Sequence, residues 1–239
     1  MKLKKLTATI LYLGGITIAC GGTETPVRHP VAPQEPEDDG DQSGIVMSSE
    51  IGGLNEDAVE AAFSGSSNSL EHCFRKGVDR VEFLGGEAGF SIKIDQSGSI
   101  VSARLEKSTL GDRATENCML KALKARNWPK PVGGRTGVAQ KSFAFDPAGG
   151  RPAATLDERF AADVVRRPEF KEAVQGCVGS SAGTFTATAY VDTSGKVLAA
   201  SATAPDDASE QAVDCIADAI SSMQFPSPGS WPGKVTFQF

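Results

Sequence analysis

The chain is short of the residues that most site chemistry is built from. It holds two histidines, His29 and His72, and no Cys-x-x-Cys, so no metal site has the usual ligand spacing. Ser64-Gly-Ser-Ser67 and Gly179-Ser-Ser181 lack the Gly-x-Ser-x-Gly turn that raises a nucleophile, and His72 stands beside Cys73 on an expected helix. Gly133-Gly-Arg-Thr-Gly137 lacks the lysine and hydroxyl of a phosphate loop and reads as a turn before a strand. Asp95 and Asp192 are single turn residues, not the facing carboxylate pair of glycoside hydrolysis. No catalytic residue, cofactor or metal is expected, and the acidic run Glu37–Asp41 reads as solvated chain.

Excess positive charge is also missing. The formal net charge is −6, and there is no basic face to meet nucleic acid. The acidity is uneven. Residues 20–50 carry seven acids against Arg28 alone, whereas residues 51–150 carry 13 basic and 12 acidic side chains and residues 151–239 carry 7 and 11. Past the first twenty residues, no apolar run approaches the roughly 20 needed to span a bilayer.

The first twenty residues are an address. Three lysines within Met1-Lys-Leu-Lys-Lys5 precede the uncharged, mostly apolar stretch Leu6–Ala19, the layout of a secretory signal peptide over residues 1–19. Thr17-Ile-Ala-Cys20-Gly21 resembles the lipobox of bacterial lipoproteins, with Thr17 where an aliphatic residue is usual. The resemblance implies that Cys20 becomes the acylated N-terminus. Gly21 in place of aspartate implies sorting to the outer membrane, facing the periplasm or the cell surface. Several acyl chains on one cysteine make a firm anchor, since each buried methylene contributes about 0.8 kcal/mol. Residues 20–50, with Pro26, Pro30, Pro33, Pro36 and the acidic run, read as a disordered, self-repelling tether.

The rest contains an internal repeat. Asp95-Gln-Ser-Gly98, Cys118, Trp128-Pro-Lys-Pro131 and Phe143-Ala-Phe145 are matched by Asp192-Thr-Ser-Gly195, Cys215, Phe225-Pro-Ser-Pro228 and Phe237-Gln-Phe239. Asp to Cys is 23 residues in both copies, and Cys to the first Pro is 11. Each copy reads as helix, hairpin, helix, strand. Phe90, Ile92 and Ile94 alternate with polar residues, as do Val101, Ala103 and Leu105. Phe185, Ala187, Ala189 and Val191 form the matching face, answered by Leu198, Ala200 and Ala202. Asp-x-Ser-Gly supplies the turn. A helix follows, with Thr109 or Asp112 as its cap, and Pro129 and Pro226 stop it. The fold class is therefore α+β, two small α-β-β-α-β domains over residues 51–148 and 153–239, joined by the turn-rich stretch near residues 145–152.

Four cysteines remain, two in each copy. An exported chain meets an oxidising compartment, and the repeat favours pairing within copies, Cys73 with Cys118 and Cys177 with Cys215. Ser108-Thr-Leu-Gly-Asp112, Cys118, Trp-Pro-Lys-Pro, Gly133-Gly134 and Phe-Ala-Phe145 resemble the C-terminal domain of myxobacterial gliding-motility and related envelope proteins (AgmX/PglI type), a family similar to the TonB C-terminal domain. The second copy is a degenerate version without the Ser-Thr-Leu-Gly and Gly-Gly elements. The resemblance implies a non-enzymatic module that binds envelope proteins or peptidoglycan, by strand addition at the final strands ending at Phe145 and Phe239. Two other readings are an accessory to TonB-type outer-membrane transport and an envelope enzyme.

Overall fold

The computed structural model describes residues 45–49, 53–133, 136–147, 151–179 and 183–239, and for 45–49 the backbone alone. The expected signal peptide, the lipidation site Cys20 and the tether up to residue 44 lie outside the described residues.

The first half opens with two helices. Asn55 caps α1 (Glu56–Ser64), its Oδ1 accepting from the Ala58 N–H at 2.8 Å. α2 (Ser67–Val78) buries Leu70, Cys73, Phe74 and Gly77, positions that recur at helical spacing. β2 (Gly86–Asp95) and β3 (Ile100–Ser108) make the expected hairpin. α3 (Arg113–Lys124) buries Met119, Leu120 and Leu123, and β4 (Thr136–Phe145) returns antiparallel beside β2. The second half follows with β5 (Ala154–Leu156), α4 (Ala162–Arg166) and α5 (Pro168–Val178). Its hairpin is β6 (Thr186–Val191) and β7 (Val197–Thr203), followed by α6 (Val213–Ser221) and β8 (Gly233–Gln238).

The architecture is α+β, with two four-stranded sheets. Calling β1 the strand Ile45–Ser49, the strand orders are β1-β4-β2-β3 and β5-β8-β6-β7. The two hairpin turns are near-copies. Asp95 Oδ1 accepts from Ser97 N, Ser97 Oγ and Ser99 N at 2.8, 2.6 and 3.0 Å. Asp192 Oδ1 accepts from Ser194 N, Ser194 Oγ and Lys196 N at the same three distances. Gly98 and Gly195 both sit at φ 89°, a conformation that a residue with a Cβ rarely adopts.

Each half has its own core. In the first, Trp128 folds back onto the core: it meets Phe63 edge-on at 4.9 Å and donates from Nε1 to the Leu123 carbonyl at 3.1 Å. In the second, Phe225 takes the same place beside Phe237, with ring centroids 6.1 Å apart. The cysteines close as Cys73–Cys118, linking α2 to α3, and Cys177–Cys215, linking α5 to α6, with Cα separations of 5.7 and 5.5 Å.

Four expectations need correction. The tether was expected to run without structure to residue 50, yet Ile45–Ser49 pairs antiparallel with β4. The final strands are therefore not edges: β1 covers β4, and β5 lies parallel along β8. Val101 and Leu198 do not face the cores. Ile94 pairs with Ile100 and Lys93 with Ser102, so Val101 is the extra residue of a bulge and is 58% exposed. Leu198 is in the same position between Val197 and Ala199, 43% exposed. Asp112 stands at the N-cap of α3, but its carboxylate makes no cap hydrogen bond and instead accepts from Arg80 and from Thr115 Oγ1.

Candidate functional site

The most elaborate polar chemistry lies where the two halves meet, within the unit Gly40–Phe239. Its starting point is the second sheet, whose two faces are both buried. Ala187, Ala189, Val191, Ala200 and Ala202 pack into the second core, under α5 and α6. The opposite face presents Thr188, Tyr190, Ala199 and Ser201, and of these Tyr190 and Ala199 belong to the core of the first half. The small side chains let the first half come close. A Cβ on Gly111, which sits at φ 73°, would lie 2.6 Å from Thr188 Cγ2.

A carboxyl group is enclosed at this junction. Glu116 of α3 is fully buried, with its Oε1 accepting from Ser108 Oγ at 2.6 Å and its Oε2 accepting from Ser201 Oγ across the junction. Burial raises its pKa above the ordinary glutamate value, and the two hydroxyls only partly offset this. One turn earlier, Arg113 Nε donates to Asp214 at 2.6 Å and Nη2 pairs with Glu210 at 3.3 Å. Asn117 Nδ2 adds a bond to Asp214 at 2.9 Å. Arg113 and Asn117 hold the Asp214 carboxyl below its usual value, whereas burial raises that of Glu210 in spite of Arg113. Arg104 spans the junction as well, reaching Asp207 at 2.9 Å and Glu106 at 2.7 Å.

On the other side of the second sheet's inner hairpin strand is a cleft of about 270 Å³. Its walls come from Phe83, Phe145, Pro147, Pro152 and Tyr190. Tyr190 Oη donates to the Gly85 carbonyl at 2.8 Å and accepts from the Gly85 N–H at 3.1 Å, and burial pushes the phenol up to about 12. Lys234 Nζ donates to the same carbonyl at 2.6 Å, and burial pulls it down to about 8.

Of the residues singled out in the sequence, Cys73, Cys118, Cys177 and Cys215 are brought together in the expected pairs, and Cys20 lies outside the described residues. They form no common site, because each pair pins helices within its own half. Glu116, Arg113, Tyr190 and Lys234 carry no motif. The signal for them was the repeat itself: where the first copy has Lys93 and Arg104 on the outer face of its sheet, the second has Tyr190 and Ser201. Among the described residues no group of three or more His, Cys, Asp or Glu is disposed to hold a metal ion. Among them, too, no helix is long and apolar enough to cross a membrane. No family model, curated protein or solved structure matches the chain.

Proposed function

We propose that the protein is a non-enzymatic lipoprotein of the bacterial outer membrane, anchored through acyl chains on Cys20, whose two TonB C-terminal-like domains act together as a protein-binding scaffold. The observation that carries the reading is the pairing of β1 with β4. A five-residue extended segment at the end of the tether lies antiparallel along β4, from Ile45 opposite Lys141 to Ser49 opposite Gly137. Backbone hydrogen bonds of that kind are how a sheet edge captures an extended peptide. The lipid anchor, the tether and the TonB-like assignment rest on the N-terminal residues and the repeat anchors, and the disulfides are in keeping with an exported chain.

On the β1 side of the first sheet, strand addition has two places to occur among the described residues: at β4 after β1 is displaced, or along the outer edge of β1. The test is capture of partners from detergent-solubilised envelopes by the full chain and by a variant lacking residues 45–49. If β4 is the docking edge, the deletion should raise capture several-fold. If β1 is the edge, it should abolish capture. Capture of nothing by either protein, or equal capture by both, rules out strand addition on the β1 side of this sheet.

A further inference from the structure

The cleft at the domain junction contains a cation that forms no ion pair among the described residues. Arg104 is paired with Glu106 and Asp207, and Arg113 with Glu210 and Asp214. Among the described residues, Lys234 has the Gly85 carbonyl at 2.6 Å and the face of Tyr190, whose centroid is 5.5 Å away. An ammonium withdrawn from water and left without a counter-ion is costly, and an anion placed beside it would recover much of that cost. Carbon is offered in its walls by the rings of Phe83 and Phe145 and by Pro147 and Pro152, beside polar backbone at Gly85 and Gly86. A concave space that sets apolar side chains beside a fixed polar group has the form of a small-ligand site.

We propose that this cleft binds a single carboxylate carried on a small apolar or aromatic body, with Lys234 as its counter-ion and the Phe83 and Phe145 rings receiving the body. One lysine meets one charge. Asp146, exposed at the rim, opposes ligands of higher negative charge. Phe239 is not the occupant, because its ring is held against Phe170 and Phe185 at 5.2 and 6.0 Å. The chemistry fits a free organic acid and equally the C-terminus of a peptide ending in an apolar residue. The walls come from both halves, so an occupant would also fasten them together. The proposal is independent of strand addition at β4.

Binding must weaken as Lys234 loses its proton. The other groups facing it are the Tyr190 hydroxyl, which burial pushes up to about 12, and the carboxyl of Asp146. A lysine titrating at about 8 is mostly charged at pH 7 and mostly neutral at pH 9, so affinity should fall about tenfold between them.

The experiment is calorimetric titration of the full chain with 3-phenylpropionate, with its amide, and with Ala-Ala-Phe bearing a free or an amidated C-terminus. Expected are saturable binding of the free acids at pH 7, at least tenfold weaker binding of both amides, the tenfold loss at pH 9, and at least tenfold loss in Lys234→Met with retention in Lys234→Arg. Tighter binding of the tripeptide acid than of 3-phenylpropionate identifies a peptide terminus as the source, and the reverse a free acid. Equal binding of acids and amides, affinity unchanged at pH 9, or no saturation by either acid overturns the proposal. The ligand and pH arms use the unaltered chain, so they decide the matter even if Lys234→Met fails to fold.

Discussion

The two sheets carry different side chains at equivalent positions, 97 residues apart. On the face turned away from its own helices the first has Ser91, Lys93 and Arg104, and the second has Thr188, Tyr190 and Ser201. The second set is buried against the first half: Tyr190 is fully enclosed, and Thr188 and Ser201 are each 2% exposed. The first sheet is thus two-sided in the ordinary way, with one face in the core and charge on the other, whereas the second is the middle layer of a sandwich. The same offset relates Arg113 to Glu210 and Asn117 to Asp214, pairs that touch across the junction. Contacts between equivalent positions are what an isologous interface has at its axis. Here the two copies have diverged into opposite charge at that place, so each half fits the other better than it would fit itself.

The disulfides give the largest expected difference between the halves. Each closes a loop of about forty residues and contributes about 4 kcal/mol in the chain-entropy picture. Their surroundings differ: Cys73 is buried within the first core, and Cys215 lies on an exposed part of α6. Cys177→Ala with Cys215→Ala should cost up to about 4 kcal/mol, a fall of roughly 10 °C in Tm for a folded part of this size. Cys73→Ala with Cys118→Ala should cost more, because buried sulfur is lost as well. Thermal unfolding of the two double variants checks the order. Alkylation with mass spectrometry under rising thiol concentration should find Cys177–Cys215 reduced first. Equal losses would mean that the two helix pairs are equally buried in solution, and the comparison would fail.

Charge at the pseudo-equivalent pair comes next. Arg113→Glu sets an acid opposite Glu210 and Asp214 where the side chains are 12% and 21% exposed at Arg113 and Glu210. Breaking a pair this enclosed costs about 3 kcal/mol or more. Glu210→Arg in the same chain restores opposite charge and should recover part of the loss, and a double-mutant cycle by denaturant unfolding measures the recovery. An additive double variant would show that the diverged pair does not define how the copies fit.

Much of this was legible in the sequence, and the rest was hidden for physical reasons. The hairpins, the helices that end before Pro129 and Pro226 and the cysteine pairs follow from local periodicity, from turn chemistry and from the repeat. The bulges at Val101 and Leu198 are invisible to a period of two, because one added residue moves an apolar side chain to the other face while leaving the pattern intact. β1 was missed because it follows a proline-rich acidic stretch, and its strand state depends on the pairing partner that β4 offers more than on its own composition. The junction was missed because Thr188, Tyr190 and Ser201 read as the polar side of a half-buried strand. Only the substitution of small hydroxyl and aromatic residues for Ser91, Lys93 and Arg104 marks that face as covered.

Glu116 sharpens the comparison by the smallest amount. Its equivalent in the second copy is Val213, also fully buried, so a carboxyl group has been kept in one half where an apolar side chain serves in the other. Burial holds Glu116 above the ordinary glutamate value of 4.5, so the folded chain retains this proton at a pH where the unfolded chain has lost it. The stability linked to that proton is complete below about pH 4.5 and is lost as the pH rises through the raised value. Glu116→Gln keeps an amide between Ser108 and Ser201 and removes the titration. Its stability should be flat over the interval in which the unaltered chain weakens, and above that interval it should be the more stable protein. Chemical unfolding from pH 4.5 to 8 measures both slopes. If the two proteins keep parallel profiles, the carboxyl is ionised and satisfied in the folded chain, and the contrast with Val213 carries no pH dependence.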